Sequence, residues 1–221
     1  ETLPHSIFIR EINGLASRLE KALRDPESRK ARILEAARRL FGANGYSDTT
    51  TRMIAAEVGI DVSTLHYHWG EKQDLYAGVI AAVNEEILAK FKEVERRCSG
   101  VGLRRRLEIA IDVMCDYLFA HPEVANLILF GYFRKADREV VLDVNIAHYI
   151  SNIAIAMGLA PDADHVSVQA KARILAVWNS VLNFISGESF FRPMMAIEPA
   201  AYRAVVKETL KFILVPAFTT G

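Results

Sequence analysis

Apolar residues recur three to four positions apart along most of the chain, and no run alternates apolar and polar residues as a half-buried strand would. The pattern predicts an all-helical protein. Phe8, Ile12, Leu15, Leu19 and Leu23 mark an amphipathic helix over residues 5–24. Ser28 can cap a second helix that carries Ile33, Ala36, Ala37, Leu40 and Phe41 on one face and stops at Asn44-Gly45. Further along, helices are expected over about 71–96, 103–120, 122–132, 137–158, 163–188 and 198–215. Breaks fall at 99–102, at His121-Pro122, from Gly158 to Pro161 and from Gly187 to Pro199, where glycine and proline interrupt the pattern.

Between residues 47 and 70 the spacing shortens. Asp48 or Thr49 can cap a short helix that turns Ile54, Ala55 and Val58 inward. Gly59 ends it, because glycine accepts the positive φ that lets the chain turn through Gly59-Ile60-Asp61. Asp61 can then cap a second short helix from Val62 to His68. Leu65 is its obvious inward anchor, while Val62, Ser63, Thr64, His66, Tyr67 and His68 are small or hydrogen-bonding. Such a helix is about 10 Å long at about 1.5 Å per residue, and it fits a major groove about 12 Å wide. Two short helices around a glycine turn, the second polar on its outer face, make a helix-turn-helix. Tyr46 is placed to pack back as a staple ahead of the first of them. Trp69-Gly70 closes the second, and Leu75, Val79, Ala82, Val83 and Ile87 mark the inner face of the long helix that follows.

Phe41 with Asn44-Gly45-Tyr46, Thr49-Thr50, Ile54-Ala55, Val58-Gly59-Ile60, Leu65-His66-Tyr67-His68-Trp69, and Lys72 with Leu75 carry a resemblance to a known family. Residues 29–76 resemble the DNA-binding domain of the TetR family of bacterial transcriptional regulators. The resemblance implies that Thr50 or Thr51, Tyr67 and Lys72 hold phosphates, that Arg52, Val62, Ser63, Thr64 and His66 face base edges, and that His68 sits near the backbone. Position 66, usually tyrosine in this motif, is His66. The implied organisation is an N-terminal extension helix at 1–27, a three-helix DNA-binding domain at 28–76, and a helical effector-binding and dimerisation domain at 77–221.

The last two helices are apolar over wide arcs, through Ile174, Leu175, Val177, Trp178, Val181, Leu182 and Ile185 on one and Tyr202, Val205, Val206, Thr209, Leu210, Ile213 and Leu214 on the other. A helix so widely apolar needs cover on both sides. The resemblance implies that the cover is a second copy, in a four-helix bundle about a two-fold axis; burial within one chain is the alternative. Met114, Tyr117, Phe130, Phe133, Trp178, Asn179 and Asn183 combine aromatics with amides, as a pocket for a largely apolar small molecule would. Each taken alone also reads as ordinary helical core.

Charge narrows the picture. Lys and Arg together number 27, as do Asp and Glu, for a formal net charge of +0. A general nucleic-acid coating protein, which depends on a large positive surface, is excluded. A specific reader is not, because groove binding needs only local donors. The charges of residues 5–24 are mixed, so that helix is expected to pack against the protein and not to grasp DNA. Arg96-Arg97 with Arg104-Arg105-Arg106 reads as a solvated face.

No apolar run reaches the roughly 18 residues of a membrane span, and the first residues do not read as a secretory leader. Cys98 and Cys115 lack CxxC spacing and fit a reducing cytoplasm, Cys115 as a packing thiol and Cys98 in a polar loop. His66 and His68, two apart, fall on different faces of a helix, so no metal site is expected from them. There is no HExxH, no GxSxG and no phosphate-cradling glycine motif, so nothing points to an enzyme or a cofactor. The expectation is a cytoplasmic, homodimeric, ligand-responsive repressor that binds a near-palindromic double-stranded DNA operator. The alternative is a helix-turn-helix regulator that binds DNA without a small-molecule effector.

Overall fold

A computed structural model describes residues 5–133 and 146–219. Among the described residues the elements are α1 (His5–Arg24), α2 (Arg29–Asp48), α3 (Thr51–Val58), α4 (Val62–Trp69), α5 (Lys72–Arg97), α6 (Leu103–Ala120), α7 (Pro122–Phe133), α8 (Ile146–Ala156), a single 3-10 turn (Ala163–His165), α9 (Val168–Ser186), α10 (Glu188–Met195) and α11 (Pro199–Thr219). No strand occurs among them, so the fold is all-α. The described residues form two compact units, one of residues up to Glu86 with 130–133, the other of 87–129 with 146–219.

In the first unit Ile33, Ala37 and Phe41 of α2, Ile54 of α3, Leu65 and Trp69 of α4, and Leu75, Val79 and Val83 of α5 are fully buried. α1 packs on α2 and buries Leu19 and Ala22. Ser28 caps α2 as its type suggests, its Oγ accepting from the Ala31 amide at 3.1 Å. Gly45, at φ 76°, interrupts α2 where the sequence placed its stop, and one more turn runs on to Asp48. The cap of α3 is neither Asp48 nor Thr49 but Thr50, whose side chain accepts from the Met53 amide at 3.2 Å. Thr49 is fully buried, and its hydroxyl is spent on the carbonyls of Gly45 (2.8 Å) and Leu40 (3.0 Å). Arg38, almost wholly buried, makes a two-point bond to Glu86 at 2.6 and 3.0 Å and so ties α2 to α5.

In the second unit α11 packs on α6 and α9, with Leu118, Leu182, Tyr202, Val206 and Leu210 at the centre. The Tyr202 hydroxyl donates to the Phe184 carbonyl at 2.7 Å. Asp112 receives Lys207 and Lys211 at 3.2 and 2.9 Å, a half-buried charge cluster that seals the α6–α11 seam.

Two expectations change, and part of a third lies outside the described residues. Residues 137–145 of the predicted 137–158 helix lie outside the described residues, and α8 carries the remainder to Ala156. Asp162 bonds the amides of Asp164 and His165 and holds a 3-10 turn, so α9 starts only after Ser167, which caps it through the Ala170 amide at 3.1 Å. The stretch from Gly187 to Pro199, expected as a break, contains α10. Pro193 falls late in that two-turn helix and forfeits one backbone bond without interrupting a long ladder.

Candidate nucleic-acid interface

The turn between α3 and α4 is built by Gly59, whose φ of 74° and ψ of 41° are left-handed, with its amide turned back to α3. Asp61 then caps α4, its Oδ1 accepting from the Thr64 amide at 2.7 Å and the Ser63 hydroxyl at 2.6 Å. Those two bonds hold its exposed carboxyl down at about 2. The inner face of α4 rests on two fully buried residues, Leu65 and Trp69. The Trp69 indole also donates to the Lys30 carbonyl of α2 at 3.0 Å. Sequence reasoning named only Leu65 as an anchor, although the four-residue spacing to Trp69 is the signal that marks a second.

The outer face carries Ser63 and Tyr67, the latter 85% exposed, flanked by half-buried Val62, Thr64 and His68. Burial and the neighbouring charges of Lys30 and Arg29 hold the His68 imidazole below its ordinary value, which favours the neutral form. His66 lies on the flank beside the buried face. Its Nδ1 is 2.9 Å from the Gly70 carbonyl, which can only accept, so that nitrogen carries the proton. Arg52 is exposed in the first turn of α3, Thr51 is half-buried and Thr50 is occupied as the cap. At the start of α5, Lys72 Nζ stands 4.3 Å from the centroid of the Tyr46 ring and 3.4 Å from the Ser47 carbonyl. Tyr46 in turn packs on Tyr76 of α5 (4.9 Å) and Phe41 of α2 (5.9 Å). Arg32 donates to the Val58 carbonyl at 3.2 Å and Arg39 pairs with Glu57 at 2.9 Å, fixing α3 to α2. Ser63, Thr64 and Tyr67 of α4, Arg52 of α3 and Lys72 at the start of α5 thus belong to one compact unit.

The residues expected to line an effector pocket are distributed over both units. Phe130 belongs to the first unit, where its ring lies near Gly45, and the Phe133 side chain is outside the described residues. Met114 and Tyr117 are buried in α6, and half-buried Trp178 has its ring 6.3 Å from that of Phe91. The amides of Asn179 and Asn183 donate to the carbonyls of Leu175 and Asn179, each at 2.8 Å, because a short amide on a helix readily falls back on the preceding turn. A hollow of about 600 Å³ lies elsewhere, in the first unit, between Leu15, Leu19 and Leu23 of α1 and Ala81 and Glu85 of α5. Burial pushes the Cys115 thiol up to about 12 and raises that of Cys98 as well, so neither is an activated thiolate. No helix among the described residues is long and apolar enough to cross a membrane.

Residues 33–79 match the model of a family described as bacterial regulatory proteins, tetR family. Over 134 residues the chain is 32% identical to the HTH-type transcriptional repressor SCO4008 of Streptomyces coelicolor, an alignment covering 60% of this chain and 65% of that one. Over 64 residues it is 34% identical to the HTH-type transcriptional regulator UidR of Escherichia coli, covering 29% of this chain and 33% of that one. The chain therefore spans less than two thirds of the length of either relative. A TetR-like transcriptional regulator from Rhodococcus sp. RHA1 shares the fold, with a TM-score of 0.60 at 16% identity over 83% of this chain and 93% of that one. By their helix-turn-helix and their family match, residues 33–79 belong to the tetR family of bacterial regulatory proteins, and the chain shares the fold of a TetR-like regulator.

Proposed function

We propose that the chain is a homodimeric repressor of transcription that reads a near-palindromic DNA operator and is released from it by a small, largely apolar molecule. The observation that carries the DNA reading is α4, capped by Asp61, pinned inside by Leu65 and Trp69, and leaving Ser63 and Tyr67 exposed on its outer face with Thr64 on the flank. In this reading α4 lies in the major groove, where Arg52, Val62, Ser63 and Thr64 meet base edges. Thr50 or Thr51, Tyr67 and Lys72 hold phosphates, and His68 stands near the backbone. His66, whose Nδ1 is engaged with Gly70, offers the duplex only its Nε2.

The second copy is supported by apolar side chains that α9 and α11 leave uncovered: Leu175 at 37%, Val205 at 44%, Ile213 at 55% and Phe212 at 81% exposure. Two recognition helices related by a two-fold axis would read half-sites about 34–36 Å apart. An effector acts on such a dimer by favouring the conformation that spaces the helices wrongly. The alternative is a regulator that binds DNA without an effector; Asn179 and Asn183 each give one amide N–H to their own helix.

Selection of bound sequences from a random DNA pool at two salt concentrations, with Arg52→Ala as a control, tests the reading. An inverted repeat that the control no longer selects is expected. Enrichment that vanishes with modest salt would leave only phosphate attraction and would overturn it. With that operator as probe, apolar small molecules should lower its affinity; a broad panel without effect would leave the effector-free alternative.

A further inference from the structure

The family match begins at residue 33, yet α1, which lies ahead of it, is wired into the last turn of the recognition helix. Arg18 Nη1 donates to the Trp69 carbonyl at 2.8 Å. The same nitrogen stands 3.8 Å from Asp74 Oδ2, and that oxygen accepts from the Glu71 amide at 2.9 Å. Trp69 is the last residue of α4, where helix carbonyls lack partners within the helix and a cation suits the dipole. Asp74 lies in the first turn of α5. Arg18 therefore spans the junction Gly70-Glu71 and holds the end of one helix against the start of the next.

The rest of the junction is equally tied. The Gly70 amide donates to the His66 carbonyl at 2.8 Å, and Gly70 itself, at φ 82°, has no room for a side chain beside Asp74 and Arg18. Leu19 and Ala22, next along α1, are buried, so the guanidinium is delivered by a packed helix and not by a loose arm.

We propose that α1 is part of the DNA-reading device, with Arg18 a positioning residue that fixes the tilt of α4 by bracing the Trp69 carbonyl against Asp74. The inference rests on α4 being the recognition helix. The rival account of the same guanidinium is a direct phosphate contact, since burial, and then Lys21 and Arg18 lying close by, depress the Lys30 ammonium, so that three cations gather there. The geometry favours the brace, because Arg18 is directed at a carbonyl and opposed by an acid. The two accounts part in their consequences. A phosphate contact strengthens binding to every sequence and steepens the salt dependence by about one unit on a log–log scale. A brace matters only where α4 must fit a groove, and leaves that slope alone.

The test uses the full chain with Arg18→Ala and Arg18→Lys, which keeps one donor. Without DNA, Arg18→Ala should speed amide exchange at 66–72 about tenfold while α2 is unchanged, and Arg18→Lys should recover most of the protection. On the selected operator, Arg18→Ala should lower affinity about tenfold, with affinity for a scrambled duplex and the salt slope both unchanged. Equal losses on both duplexes with a shallower slope would make Arg18 a phosphate contact and overturn the brace. Unchanged exchange at 66–72 would overturn it whatever the DNA result. If the native chain selects no operator while the exchange behaves as expected, the brace stands and it is the recognition role of α4 that falls.

Discussion

α4 in the first unit and α11 in the second each bury one face and leave the other uncovered, and the two uncovered faces differ in kind. α4 shows solvent Ser63 and the phenol-tipped Tyr67, whereas α11 shows Val205, Phe212 and Ile213. A face of hydroxyls is at ease in water and meets a polar partner by exchanging one set of hydrogen bonds for another. An apolar face is unfavourable in water in proportion to its area, about 25 cal/mol per Å², so it gains by staying covered. The contrast suits a polar face that can exchange partners and an apolar face that gains by staying covered.

The inner face of α4 is where that contrast is most easily broken. Trp69→Ala removes a fully buried indole and leaves the Lys30 carbonyl without its donor, and should cost about 3–5 kcal/mol of stability. Denaturant unfolding checks it, and a loss below about 1 kcal/mol would show that α4 is not seated as described. Phe212→Lys should leave folding intact but weaken the dimer, by about 1.5–3 kcal/mol for each ring no longer covered. Sedimentation at several concentrations measures it; an unchanged dimer would move the interface off α11.

Gly78→Ala is a finer probe. A Cβ at this position in α5 would stand 2.5 Å from the rigid ring of Trp69, so the indole must shift, at about 1–3 kcal/mol. DNA affinity should fall with it, because α4 moves with its anchor.

The smallest effect concerns Asp61. Its carboxyl is depressed from 3.8 to about 2 in the folded state, so its contribution is complete above about pH 4 and is lost as pH falls through about 2. Asp61→Asn, which keeps an acceptor without the charge, should flatten this acid dependence of amide exchange in α4. An unaltered profile would assign it to another group.

Much of the first unit was legible because its boundaries are set by residues acting on their immediate neighbours. Ser28 and Asp61 cap the helices assigned to them, and Gly59 takes the left-handed turn. The cap of α3 was harder, since Asp48, Thr49 and Thr50 are all of capping type, and only the capture of the Thr49 hydroxyl by Leu40 and Gly45 leaves the task to Thr50. A pocket is least legible in the sequence, because apolar side chains carry no address: the same residue types line a cavity and fill a helical core.

The sequence by itself determined the helical periods, the glycine turn between α3 and α4, the cap of α4, and the polar character of the outer face of α4, because each follows from side-chain type at a spacing of four residues or fewer. Tertiary structure decided that the Trp69 indole bonds the Lys30 carbonyl 39 positions away and that Arg18 reaches Trp69 across 51 positions of sequence. A local pattern encodes which face of a helix is apolar. Which distant donor meets a helix-end carbonyl is set only when the helices pack.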